Sequence, residues 1–130
     1  MSDVEHTATL IRDAIRDLPK RYEENANEIK NIEKQITDYL HYIELVDLNA
    51  SEGFRAYKEL QAIQKERRRL KDDNELLKHI YPALKSLRNN LSQFDKAIGG
   101  IRKTKRHLEK RTYRCRSAKN LQEKINEVKS

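Results

Sequence analysis

Tryptophan is absent from this chain, and glycine (three), proline (two) and cysteine (one) are scarce. So little turn chemistry leaves a β-rich fold without its connections. The lone Cys115 rules out an internal disulfide framework and suits a reducing compartment. No apolar run approaches the roughly 20 residues that span a bilayer. The first residues, Met1-Ser-Asp-Val-Glu-His6, lack a basic region followed by an apolar core, so no signal peptide is read there. Asn49-Ala-Ser51 and Asn90-Leu-Ser92 match the glycosylation pattern, and without export they are chance matches. The expected setting is the cytoplasm.

Apolar residues make up only 36% of the 130 residues, and charged ones 38%. That is too little apolar material for a thick core, but enough for the narrow seam of a coiled coil or slender bundle. Charge is unevenly placed. Residues 1–48 carry six Lys/Arg against eleven Asp/Glu, and residues 49–130 carry twenty-two against ten. An acidic segment beside a basic one follows, with surplus positive charge towards the C-terminal end.

Periodicity supplies the architecture. Ile11, Ile15, Leu18, Tyr22, Asn25, Ile29, Ile32, Ile36, Tyr39, Ile43 and Val46 alternate steps of four and three, an unbroken heptad seam with only Asn25 polar. Ala56, Leu60, Ile63, Arg67, Leu70, Asn74, Leu77, Tyr81 and Leu84 form a second. Between them Asn49 is placed to cap the next helix, with Glu52 as its reciprocal partner.

A turn at Asn49–Ala50 pairs residues whose numbers sum to about 99. Ile36 then meets Ile63, Ile29 meets Leu70, Tyr22 meets Leu77 and Leu18 meets Tyr81. Asn25 falls opposite Asn74. Two facing amides can satisfy each other and fix the register, whereas a lone buried one is costly. Arg67 falls opposite Ile32, where its stem can cover the seam while the guanidinium reaches water.

Pro19 and Pro82 lie at one level of this hairpin, and each removes a backbone donor. The expected helices are therefore about 4–18, 20–47, 50–80 and 83–111. The last carries a third seam through Leu84, Leu87, Leu91, Phe94, Ile98, Ile101 and Leu108, interrupted by Gly99-Gly100, which can bend or end it. It can complete a three-helix bundle, pair with the 4–18 helix, or pair with a second copy of the chain. The fold class is all-α: a long antiparallel hairpin extended by a third helix into a slender or dimeric bundle. Residues 1–112 form that domain and 113–130 a basic tail, frayed or ordered by a partner.

Chemistry is sparse. No Gly-rich phosphate loop, nucleophile elbow or cysteine cluster appears, so no catalytic residue and no cofactor is assigned. Asp38, His41 and Glu44 have ligand spacing, but the heptad frame turns them outward, which reads as a solvated face rather than a metal site. Cys115 lies among Arg111, Arg114 and Arg116 without a neighbouring base or resolving cysteine.

Two basic clusters remain. Residues 102–119 hold nine Lys/Arg against one Glu: Arg102, Lys103, Lys105, Arg106, Lys110, Arg111, Arg114, Arg116 and Lys119. A second face carries Lys58, Lys65, Arg68 and Arg69. They suit nucleic-acid phosphates or an acidic partner, with Tyr113 able to stack on a base. The bland alternative is that they solvate helices and offset the acidic first helix. Glu28, Glu66 and Asp73 face each other across the hairpin in this register, and a basic third helix would relieve them. A basic-region zipper is excluded by order, since fewer than two heptads follow the basic stretch.

The stretch Asp38-Tyr-Leu-His41-Tyr-Ile-Glu44, with Tyr57-Lys-Glu-Leu-Gln-Ala-Ile-Gln-Lys-Glu-Arg-Arg-Arg-Leu-Lys-Asp-Asp-Asn-Glu75, resembles small coiled-coil proteins of phages and prophages of Gram-positive bacteria. The resemblance covers the hairpin. It implies a context of host interaction, anti-defence or phage replication in the cytoplasm of a host cell, and no activity. The expected function is a non-enzymatic module that binds and inhibits or modulates a host or phage protein complex. In size the chain is also similar to WXG-type secreted hairpins. Its turn reads Ser51-Glu-Gly-Phe54 without their Trp, and their Tyr-x-x-x-Asp/Glu tail is missing. The expected partner is another protein, nucleic-acid backbone as the alternative, with the chain itself a homodimer.

Overall fold

In the computed structural model, residues 3–112 and 114–129 are described. Tyr113, and with it the expected base stacking, lies outside them. The described chain is all helix and connection: α1 (Val4–Leu45), α2 (Ala50–Ser86), α3 (Leu91–Lys110) and α4 (Gln122–Lys129), with short 3₁₀ turns at Arg88–Asn90 and Lys119–Leu121. No described helix is long and apolar enough to cross a membrane.

Two compact units are formed, one from residues 10–91 and one from residues 1–9 with 92–130. The first is the hairpin. Its turn is where the cap chemistry puts it: Asn49 Oδ1 accepts the Glu52 amide at 2.8 Å, and Asn49 Nδ2 donates to Glu52 Oε1 at 2.8 Å. The capping pair is reciprocal, although Glu52 grips the side-chain amide rather than the backbone N–H of a capping box. Ile15, Ile32, Ala56, Leu70 and Leu77, all seam positions, are buried there, as is Pro19 off the seam.

The register holds at its polar layer. Asn25 Nδ2 donates to Asn74 Oδ1 at 3.0 Å and to Asp73 Oδ2 at 2.7 Å, while Asn74 Nδ2 donates to the Tyr22 carbonyl at 3.2 Å. Arg67, expected opposite Ile32, sends its guanidinium to Glu33 at 3.4 Å. Beside the expected layers, Tyr22 stacks on Tyr81, ring centroids 4.2 Å apart. Helical side chains lean towards their own N-terminus. In an antiparallel pair that lean lets long rings meet where their numbers sum to somewhat more than the backbone register.

The prolines do not break the helices, which corrects the expected boundaries at 18, 20, 80 and 83. Pro19 lies within α1 and Pro82 within α2. A proline in a helix interior costs about 3 kcal/mol, and the packing on both sides of this level outweighs it. Pro19 is itself fully buried. Arg88 and Tyr81, on either side of Pro82, both donate to Glu23, at 2.5 and 3.2 Å.

The real break comes at Arg88-Asn-Asn90. Two asparagines are poor helix formers. Ser86 Oγ donates to the Ala83 carbonyl at 2.7 Å, taking an acceptor from the last turn. Gly99-Gly100, expected to bend or end the next helix, stay inside α3 with open space around both.

In the second unit α3 lies beside the first turn of α1, one of the three arrangements open from the sequence. Asp3 Oδ1 accepts the Glu5 amide at 3.0 Å and so caps α1. Arg102 reaches Glu5 at 3.4 Å, and Lys105 reaches Asp3 and Glu5 at 3.8 Å each. In the tail the Cys115 amide donates to Gln122 Oε1 at 2.6 Å, just ahead of α4.

Candidate protein-docking surface

Between residues 12 and 38, no position of α1 off the seam carries a large apolar side chain. That changes abruptly at the closed end of the hairpin. Leu40, Tyr42 and Leu45 follow off the seam, and Phe54 and Tyr57 answer from α2. The seam has no further layer to join there, so Ile43 and Val46 are uncovered too. Leu45 is 78% exposed, Phe54 63%, Tyr57 55% and Leu40 54%. Seven large apolar side chains thus lie exposed at the closed end of the hairpin.

The surroundings of this patch are acidic. Residues 38–59 hold Asp38, Glu44, Asp47, Glu52 and Glu59 against Arg55 and Lys58, a balance of −3. Asp38, Tyr39, Tyr42, Arg55 and Glu59 line a shallow hollow on its flank. Tyr39 donates its hydroxyl to Glu59 at 2.8 Å, and that bond holds the phenol proton more tightly than usual. Lys58 lies 5.5 Å from the centre of the Phe54 ring. Large apolar side chains left exposed together at one end, among polar groups, suit a protein-contact site.

The residues singled out from the sequence fall elsewhere. Asn25 and Asn74 are brought together, as a structural layer. Of the C-terminal cluster, Arg102 and Lys105 are turned into ion pairs with the acidic start of α1. Lys103, Arg106, Lys110, Arg111, Arg114 and Arg116 are exposed. On the second basic face Arg69 is bound to Glu66 at 2.6 Å, Lys58 sits over Phe54, and Lys65 and Arg68 line an open depression with Gln61 and Gln64. The Glu66 and Asp73 charges need no third helix, because Arg69 and Arg21 take them within the hairpin.

Asp38, His41 and Glu44 remain on the exposed face, His41 3.7 Å from Glu44. Among the described residues no group of three His, Cys, Asp or Glu side chains is placed to hold a metal ion. No known protein family, curated protein or solved structure matches the chain.

The apolar end was missed by seam counting, which treats every off-seam position as solvent-facing. Its signal is the change in off-seam composition at Leu40, combined with a turn that brings Phe54 and Tyr57 to the same place.

Proposed function

We propose that this chain is a non-enzymatic protein-binding module that docks through the closed end of its hairpin. In the setting its phage-like text implies, occupying a surface of a host or phage protein complex is enough to inhibit or modulate it. The exposed cluster of Leu40, Leu45, Phe54 and Tyr57 carries this reading. Leaving such side chains in water forgoes on the order of 1.5–3 kcal/mol for each one that could be buried. A contact that covers them recovers part of that.

A photo-crosslinking residue at position 54, with the same residue at exposed position 34 as control, tests the reading in cells that make the protein natively. Protein adducts at 54 and not at 34 are expected. Equal labelling, or no protein adduct at 54, overturns it.

Nucleic-acid backbone binding is the rival, favoured by the exposure of Lys103, Arg106, Lys110 and Arg111 on and just beyond α3. With Arg102 and Lys105 already paired, fewer cations remain to release counterions than the sequence count promises. Titrating generic DNA and RNA at rising salt separates the two. Steep salt-dependent binding that Lys103→Gln with Arg106→Gln abolishes favours the rival, and no binding at low salt removes it.

A further inference from the structure

The same molecule carries a second uncovered apolar stripe whose charge is opposite to that of the hairpin end. Leu121, Ile125 and Val128 follow at steps of four and three and share one face with the Lys124 stem. Val128 is 86% exposed and Leu121 43%. Residues 114–129 carry five Lys/Arg against Glu123 and Glu127, a balance of +3, opposite in sign to the −3 of residues 38–59, and the surplus lies ahead of the helix at Arg114, Arg116 and Lys119.

Resting on the docking reading above, we infer that the hairpin end of one copy, until its partner displaces it, is covered by the C-terminal helix of a second copy. Its apolar stripe lies against Leu45, Phe54 and Tyr57, and the basic residues just ahead of it, Arg114, Arg116 and Lys119, meet the acidic rim. An amphipathic helix laid on an apolar surface is an established recognition mode. Opposite charge around it sets orientation and disfavours tip-on-tip or tail-on-tail contacts. A contact of this size falls below about 1,200 Å² of buried surface and is weak and concentration-dependent. Each chain offers one tip and one tail, so association either closes reciprocally or extends head to tail.

The test uses the full chain and two pairs of exposed-site variants. The tip variant is Leu45→Glu with Phe54→Glu; the tail variant is Leu121→Glu with Val128→Glu. Sedimentation equilibrium of the wild type at about 10–200 μM, where weak small interfaces are populated, is expected to show mass rising with concentration. High salt is expected to diminish that rise. Each variant alone, with wild-type helicity by circular dichroism, is expected to stay monomeric. An equimolar mixture is expected to form 1:1 heterodimers, because one variant keeps its tail and the other its tip.

A monomeric wild type, association that survives in either variant, or a mixture that stays monomeric overturns the inference. Loss of helicity in a glutamate variant is met by its serine counterpart at the same positions. Failure here is distinguishable from failure of the docking reading. A position-54 adduct to a protein other than this chain, together with a wild type that stays monomeric, keeps the docking site and removes the second copy as its occupant.

Discussion

Asp73 accepts three hydrogen bonds in the middle of the hairpin, two from Arg21 and one from the amide of Asn25. Hydrogen bonds from Arg21 hold its carboxyl below the ordinary value against the opposing effect of burial, with Asn25 adding to the shift. Glu23 is lowered in the same way, first by Arg88. A carboxylate lowered in the fold contributes stability above its unfolded value of about 4, and loses it as pH falls through the folded value. Acid unfolding is therefore expected to begin below that point. Asp73→Asn with Glu23→Gln is expected to shallow the loss in urea titrations between about pH 5 and 2. Asn25→Leu strands Asn74 Oδ1 and is expected to cost about 1–3 kcal/mol. Asn25→Leu with Asn74→Leu is expected to cost less than the sum of the two single changes. Additive urea midpoints would remove the coupling. The facing amides were legible from spacing alone; Arg21 and Asp73 were not, because a heptad frame says nothing about how far an arginine off the seam reaches.

α1 and α2 show why helix boundaries were the least legible feature. Proline's local cost can be read at one position, whereas the burial that outweighs it is spread over turns on both sides. Pro82 is exposed, so Pro82→Ala restores a backbone donor with little packing to lose; it is expected to stabilise by about 1–3 kcal/mol. Pro19 is buried, and Pro19→Ala forfeits contact as well as relieving the backbone, so its gain is expected to be the smaller. Gly99→Ala and Gly100→Ala meet open space in α3 and are each expected to add about 0.5–1 kcal/mol. Thermal and urea midpoints of the four single variants check this ordering. At the turn, Asn49→Ala removes the bond to the Glu52 amide and is expected to cost about 1 kcal/mol.

Across the whole molecule, the charge asymmetry visible in the sequence has a divided outcome. Part of it is absorbed where Arg102 and Lys105 meet Asp3 and Glu5, and part stays at the surface. The all-α hairpin was legible because a seven-residue period extends over so many turns that it admits few registers. The docking surface was not, since it arises from side chains distant in sequence that share one end only after the turn is made. The same period limits how the hairpin can change length. Removing residues 29–35 alone slides the arms by two turns, setting Asn25 against Arg67 and Asn74 against Leu18. Removing 29–35 together with 64–70 keeps the asparagine layer and the turn, and simply yields a shorter hairpin. Insertions and deletions should therefore be tolerated in matched sevens, one heptad from each arm, and a melting comparison of the single and paired deletions would show it.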